Sequence, residues 1–379
     1  MAIRTILVCE AQVPLVRGGA ESHVRQLVDR LRGHGYLVDL VSVPFKWYPK
    51  DEILAHAAAW RLLDLGESNG TPIDLVIATK FPSYFARHPN KVAWLIHQYR
   101  AAYELCGTPY SDFAHTDLDV GLRQKLIALD TAMLGECRRL FTNAGNTANR
   151  LAKFNGLRAE PLYHPPRLAD RIVPGPAGDY LLSVGRLETV KRVDLAIQAL
   201  ALVPGSLRLI VAGEGTERGR LQRLAAELGV GDRVRFAGAV EDEPLVDLYA
   251  GALGVVYAPY DEDYGYVTLE SFLAHKPVVT AADSGGTLEF VQHGVNGLVC
   301  EPVPAALADA FNRLAANRAG ALRAGRGRCA ARAARARRRV PGADRGAGRA
   351  RAPSGVGGDP QRRRLRQADP GRRGRDLGP

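Results

Sequence analysis

Three stretches of the 379-residue chain combine residue types that could hold an anionic, hydroxyl-rich ligand. In residues 261–272, Glu262 precedes a helical pattern and Glu270 falls in that helix's first turns, with seven residues between them. Each carboxylate offers free acceptor oxygens to vicinal hydroxyls. The spacing lets one face a ligand outside a cleft wall while the other reaches deeper. Backbone N–H groups near Val267 and Thr268 are aimed at an anion between them. The plain alternative is one capping Glu and one surface Glu. In the second stretch, Gly185-Arg186 ends a strand and Lys191 follows five residues later at a helix start. Two cations beside a helix N-terminus suit a diphosphate, with Arg able to make a bidentate contact; a solvated Arg and Lys on a loop is the alternative. The third is Gly18-Gly19-Ala20-Glu21, a strand-to-helix turn whose glycines let backbone approach a ligand. Gly213-Glu214-Gly215 repeats such a turn and reads as structural.

Positioning these residues requires strands that end where helices begin, and the apolar pattern supplies them. Strand-like runs at 5–9, 36–43, 74–78, 92–96 and 139–142 are separated by helical stretches, the first near 20–32 with Val24, Leu27, Val28 and Leu31 on one face. The pattern pauses at Tyr163-His164-Pro165-Pro166 and Pro174-Gly175-Pro176, a linker by composition. It restarts with strands at 180–184, 207–212, 234–236, 255–258 and 277–280, and helices at 191–202, 216–228, around 245–252, from 268 and at 304–316. Two parallel α/β sheets joined by one linker predict a cleft with ligand at the carboxyl ends of the strands.

The net charge of +11 is unevenly spread. Residues 320–379 hold 18 Arg against 4 Asp, a net of +14, which leaves 33 basic and 36 acidic residues in the rest of the chain. That tail lacks aromatic, Ile and Met residues and reads as disordered or poorly packed. A basic arm for nucleic acid or an anionic membrane is one account. A shifted reading frame from about Gly320 is the other, and it is preferred because no aromatics interleave the arginines as stacking surfaces. A hydrophobic share of 46% excludes a largely disordered chain. No apolar run approaches the ~20 residues of a membrane span, and residues 1–8 read as a first strand rather than a signal peptide. Five scattered cysteines without a Cys-x-x-Cys pair argue for a reducing cytosol and against structural zinc or a disulfide framework.

Taken in order, the motifs resemble the GT-B retaining glycosyltransferases of glycosyltransferase family 4, also called glycosyl transferases group 1. The resemblance rests on Gly18-Gly19-Ala20-Glu21, Ser183-Val184-Gly185-Arg186-Leu187 with Lys191, Val211-Ala212-Gly213-Glu214-Gly215 and Val234-Arg235-Phe236-Ala237-Gly238. It continues through the Glu262/Glu270 pair and Gly285-Gly286 with Glu289, covering about residues 3–317. It implies an α/β GT-B fold of two Rossmann-like domains: 1–173 on the acceptor side, 174–319 binding a nucleotide sugar, and 320–379 as the tail. It also implies roles. Arg186 and Lys191 hold the donor diphosphate, Glu262 the donor sugar and Glu270 the ribose. Amides of Gly285 and Gly286 face the sugar, those of Val267 and Thr268 the phosphates, and Gly18 and Gly19 close over the donor or acceptor. His97, after the strand at 92–96, matches the family's active-site His near the transferred sugar.

The implied reaction moves a sugar from a UDP- or GDP-sugar to a glycan or lipid-linked acceptor hydroxyl with retention, in bacterial-type surface polysaccharide synthesis. It would run in the cytoplasm or against the inner face of a membrane. No cofactor and no metal are expected, because Arg186 and Lys191 take the cation's part. Asp261-x-Asp263 and Asp117-x-Asp119 resemble the metal-binding Asp-x-Asp of the other glycosyltransferase fold, but two occurrences in one chain show how common the pattern is. Arg192 departs from the Gly that many relatives place there, and the tail departs from the helices that complete the second domain. An inactive nucleotide-sugar binder and a nucleic-acid binder acting through the tail are the competing readings. Pyridoxal-dependent phosphorolysis lacks a matching lysine context.

Overall fold

The computed structural model describes residues 2–16 and 18–317, and the tail expected from residue 320 lies outside them. Strand β1 (Thr5–Gln12) is mostly buried along its length, as a central parallel strand requires. Helix α1 (Gly19–Gly33) starts from an extended Gly18, carries Glu21 in its first turn and Arg30 and Arg32 in its last, and buries Val24 and Val28. That charge order matches the helix dipole. There follow β2 (Leu37–Pro44), α2 (Glu52–Leu62), a short hairpin of β3 (Glu67–Ser68) and β4 (Thr71–Pro72), then β5 (Leu75–Ala78) and β6 (Lys91–Leu95). The first half ends with α3 (Asp117–Gly135), β7 (Arg139–Thr142), α4 (Gly145–Asn155) and β8 (Glu160–Pro161). Its six-stranded parallel sheet has the order β2-β1-β5-β6-β7-β8.

The second half repeats the plan. It comprises β9 (Tyr180–Val184), α5 (Val193–Ala201), β10 (Arg208–Ala212), α6 (Arg218–Glu227), β11 (Val234–Gly238) and α7 (Asp242–Gly251). After these come β12 (Gly254–Val256), α8 (Tyr266–Leu273), β13 (Val278–Ala281), β14 (Gly297–Cys300) and α9 (Pro304–Ala316). Its parallel order is β11-β10-β9-β12-β13-β14. Strand order turns back between β1 and β5 in one sheet and between β9 and β12 in the other. Crevices open at those carboxyl ends. Gly18-Gly19 follows β1 and Gly185-Arg186 follows β9, so both motifs sit at switch points.

Each sheet is covered on both faces by apolar side chains, Val76, Ala78 and Leu126 on one side of the first and Val8, Val24 and Ile77 on the other. Among the described residues no helix is long and apolar enough to cross a membrane.

Several elements differ from the sequence reading. Helices α2, α3 and α4 and strands β8 and β14 were not expected; in α2 the buried residues Ile53, Ala57 and Trp60 are diluted by neighbouring alanines that blur the period. The helix expected over 191–202 is broken: Thr189–Lys191 is a 3-10 turn, and Arg192 is left-handed at φ +51° before α5 begins. Leu168 and Ile172 lie before the 173/174 boundary in sequence, yet they are buried with Leu182, Ile210 and Val255 of the second half. The linker therefore begins packing on the second core ahead of the Pro/Gly stretch.

Candidate active site

Glu262 lies in the loop between β12 and α8. Its Oε2 pairs with Lys191 Nζ, the two side chains being only 13% and 16% exposed, and accepts the Tyr257 hydroxyl at 2.8 Å. Burial pushes the Glu262 carboxyl up, but Lys191, with Arg100 behind it, outweighs burial and holds it below the usual carboxylate range. Glu270, in α8, accepts the hydroxyl of Tyr249 from α7 at 2.7 Å. With no cation in direct contact, burial prevails there and raises its carboxyl. Two glutamates of one motif are thus shifted in opposite directions, because Lys191 stands against only Glu262.

Arg186 is half exposed and pairs with Glu188 at 2.7 Å. It lines, with Gly185, Lys191 and Tyr257, one small cavity at the ends of β9 and β12. The first half closes over this place. A Cβ on Gly18 would stand 3.5 Å from Arg186 Nε, and one on Gly19 would stand 3.1 Å from the Tyr266 ring. Any larger side chain there would crowd the opposite half. Glu21, one helical turn into α1, is paired with the buried Lys80 from the end of β5.

His97 follows β6 and is neutral, because burial lowers its pKa. Its Nδ1 lies 2.8 Å from the Gln98 carbonyl, which only accepts, so Nδ1 carries the proton and Nε2 is left as an acceptor. The structure brings Gly18, Gly19, Arg186, Lys191 and Glu262 together and sets Glu270 against Tyr249 on the α7 side. Two of the four backbone amides expected to face ligand are engaged within the protein. The Thr268 N–H, expected to face phosphate, donates to Gly265 O at 3.0 Å, and the Val267 and Thr268 side chains are buried. The Gly286 N–H, expected to face sugar, donates to Glu262 O at 2.7 Å. Gly285 has φ +56°, and a Cβ there would come within 2.6 Å of Asp261 Oδ1. These glycines hold the Glu262 loop; only a residue without a side chain fits.

Arg192 also gains a reason. Its side chain is buried, donates to the carbonyls of Ala258 at 2.7 Å and Pro259 at 2.9 Å, and pairs with Asp283. It straps the lysine turn to the loop that carries Glu262. Sequence reasoning missed Tyr257, Tyr249, Lys80 and this strap. Tyr257 alone had a signal, a polar-tipped aromatic directly after a strand at a switch point. Among the described residues no cluster of three His, Cys, Asp or Glu side chains could hold a metal.

Residues 173–334 match the glycosyl transferases group 1 family. The second half of the chain carries that domain. It is 28% identical over 351 residues to a D-inositol 3-phosphate glycosyltransferase of Acidothermus cellulolyticus, covering 78% of each chain. It is 32% identical over 164 residues to the alpha-1,3/1,6-mannosyltransferase of Homo sapiens, and spans only 39% of that relative's length. Among solved structures, WaaG, a glycosyltransferase involved in lipopolysaccharide biosynthesis, superposes with a TM-score of 0.68 at 20% identity over 87% of this chain and 95% of its own. An Anabaena protein solved with UDP and glucose gives 0.61 at 19% identity over 88% and 95%. At such identities the likeness is one of fold, and the fold of this chain is GT-B.

Proposed function

We propose that this chain, with its group 1 domain, is a retaining, nucleotide-sugar-dependent hexosyltransferase. It would transfer from a UDP- or GDP-sugar to a hydroxyl of a glycan or lipid-linked acceptor in surface polysaccharide synthesis. The observation that carries the reading is the Lys191–Glu262 pair beside Arg186, at the switch point of the second sheet and under the Gly18-Gly19 turn of the first. A diphosphate placed there meets two cations without a metal, and a sugar beyond it meets an ionised carboxylate. The UDP and glucose bound by the Anabaena fold relative support a uridine donor.

In the reaction the bond from the anomeric carbon to the diphosphate oxygen breaks, and a bond from that carbon to the acceptor oxygen forms on the same face. The departing phosphate oxygen takes the acceptor hydroxyl's proton. Arg186 and Lys191 stabilise the charge gathering on the diphosphate, which is where electrostatic help is worth most. Glu262 accepts hydroxyls of the transferred sugar, Glu270 those of the ribose, and His97 Nε2 a sugar hydroxyl near the first half. A lipid-linked acceptor would place the enzyme at the inner face of a membrane.

A thermal-shift panel of UDP- and GDP-sugars in EDTA tests this. A ligand at 100 times its Kd stabilises the fold by about 2.7 kcal/mol, so one nucleotide family should raise the Tm. A cooperative melt that no nucleotide sugar moves refutes the reading. A response without turnover on any acceptor points to the non-catalytic binder instead. Activity lost in EDTA and restored by manganese or magnesium would overturn the metal-free scheme.

A further inference from the structure

The Asp261-x-Asp263 pair, which flanks Glu262 and resembles a metal motif, is gripped by the opposite half of the molecule. Arg150 of α4, itself buried, donates to the Asp263 carboxylate and places Nη2 at 3.2 Å from Asp261 O and 3.3 Å from its Oδ1. Asn146, four residues earlier and so on the same helix face, donates to Asp261 Oδ1 at 2.6 Å and to the Glu262 carbonyl at 2.9 Å. Arg100, just after β6, donates to Asp261 O at 2.6 Å and lies 3.7 Å from Asp263. Glu104 stands between the two arginines, 2.5 Å from Arg100 Nε and 3.2 Å from Arg150 Nε. Charges this buried persist only when paired and hydrogen-bonded, so the set forms when the two halves dock.

The Glu262 carboxylate takes no part in that grip. It is held by Lys191 and Tyr257 of its own half, while its carbonyl is shared between Gly286 of its own half and Asn146 of the first. We infer that Arg150 and Asn146 are positioning residues for Glu262: docking of the halves sets the sugar end of the donor site and leaves the nucleotide end intact. This rests on the donor reading above. Its consequence is a division of labour. Nucleotide affinity is independent of the α4 contacts, whereas sugar recognition and turnover need them. The two aspartates serve that grip rather than a cation.

The test uses the full chain with Asn146→Ala, Arg150→Lys and Arg150→Ala. Each is measured for affinity toward the free nucleotide that stabilises the wild type, and for kcat and KM with the matching nucleotide sugar. The expected result is nucleotide affinity within about 2-fold of wild type and kcat lowered by about 10-fold or more, the size of loss that small misplacement produces. Arg150→Lys should retain more activity than Arg150→Ala, because the charge survives while the fork is lost. An equal loss of nucleotide affinity and turnover, or an unchanged kcat, overturns the inference. Should the Arg150 variants not melt cooperatively, Asn146→Ala decides by the same criteria. A wild type that binds no nucleotide sugar sinks the donor reading and this inference with it. A responsive wild type with indistinguishable variants sinks this inference alone.

Discussion

Lys191 determines what Glu262 is. Buried beside Tyr257, the carboxylate would otherwise drift upward, as Glu270 does beside Tyr249. Lys191→Ala should therefore cost twice, removing the proposed diphosphate contact and releasing Glu262 to burial. The expected loss in kcat is on the order of 10²–10³, about 3–4 kcal/mol. The acid limb of the residual rate should move to higher pH, because Glu262 then protonates sooner; a pH–rate profile from 5 to 9 reads both. Arg186→Ala should cost about 2–4 kcal/mol without that displacement, since it contacts Glu188 and not Glu262. Tyr257→Phe removes one donor to an ionised carboxylate, worth about 1.5–3 kcal/mol, and should be the mildest of the three in kcat/KM.

At the scale of elements, the loops after β12 and β13 are built against each other and against α4. Gly285→Ala would place a methyl among Asp261, Asn146 and Glu262 in a left-handed backbone. A loss of about 1–3 kcal/mol is expected in urea denaturation. Behind the site, α1, β6 and the linker bring two imidazoles together: His23 and His164 have ring centroids 4.0 Å apart, with His164 stacked on Tyr264. Burial pulls His23 down to about 4, and His164 is also well below the usual value. The unfolded chain binds more protons than the native one between those values and about 6.5. Stability should therefore be full above pH 6.5 and fall as the pH drops toward 4, by up to about 1.4 kcal/mol per pH unit for each histidine. His23→Gln should flatten that slope in Tm against pH; an unchanged slope would exclude His23 as a source.

For the whole molecule, the described residues supply every group of the proposed donor site without any part of the Arg-rich segment. Removing 320–379 should leave the nucleotide-induced shift in Tm and abolish any salt-dependent binding to RNA, which separates the enzyme from the nucleic-acid reading. The alternation of strands and helices and the order of Gly18-Gly19, Arg186, Lys191, Glu262 and Glu270 were legible in the chain. They are local: a buried parallel strand is a continuous apolar run, and a switch-point turn needs small or charged residues at its end. The second partner of each group was not legible. Arg150 meets Asp263 across 113 positions, and Tyr249 meets Glu270 across 21. Nothing in the sequence near Gly286 says that its N–H is spent on Glu262. Fold class, then, was determined by the sequence alone, through periodicity and short motifs that each element carries within itself. Which carboxylate is pulled down and which is pushed up, which amides hold loops instead of ligand, and what grips the two aspartates were decided only by tertiary structure. Burial and ion pairing depend on which distant residues the packing brings within a few ångströms.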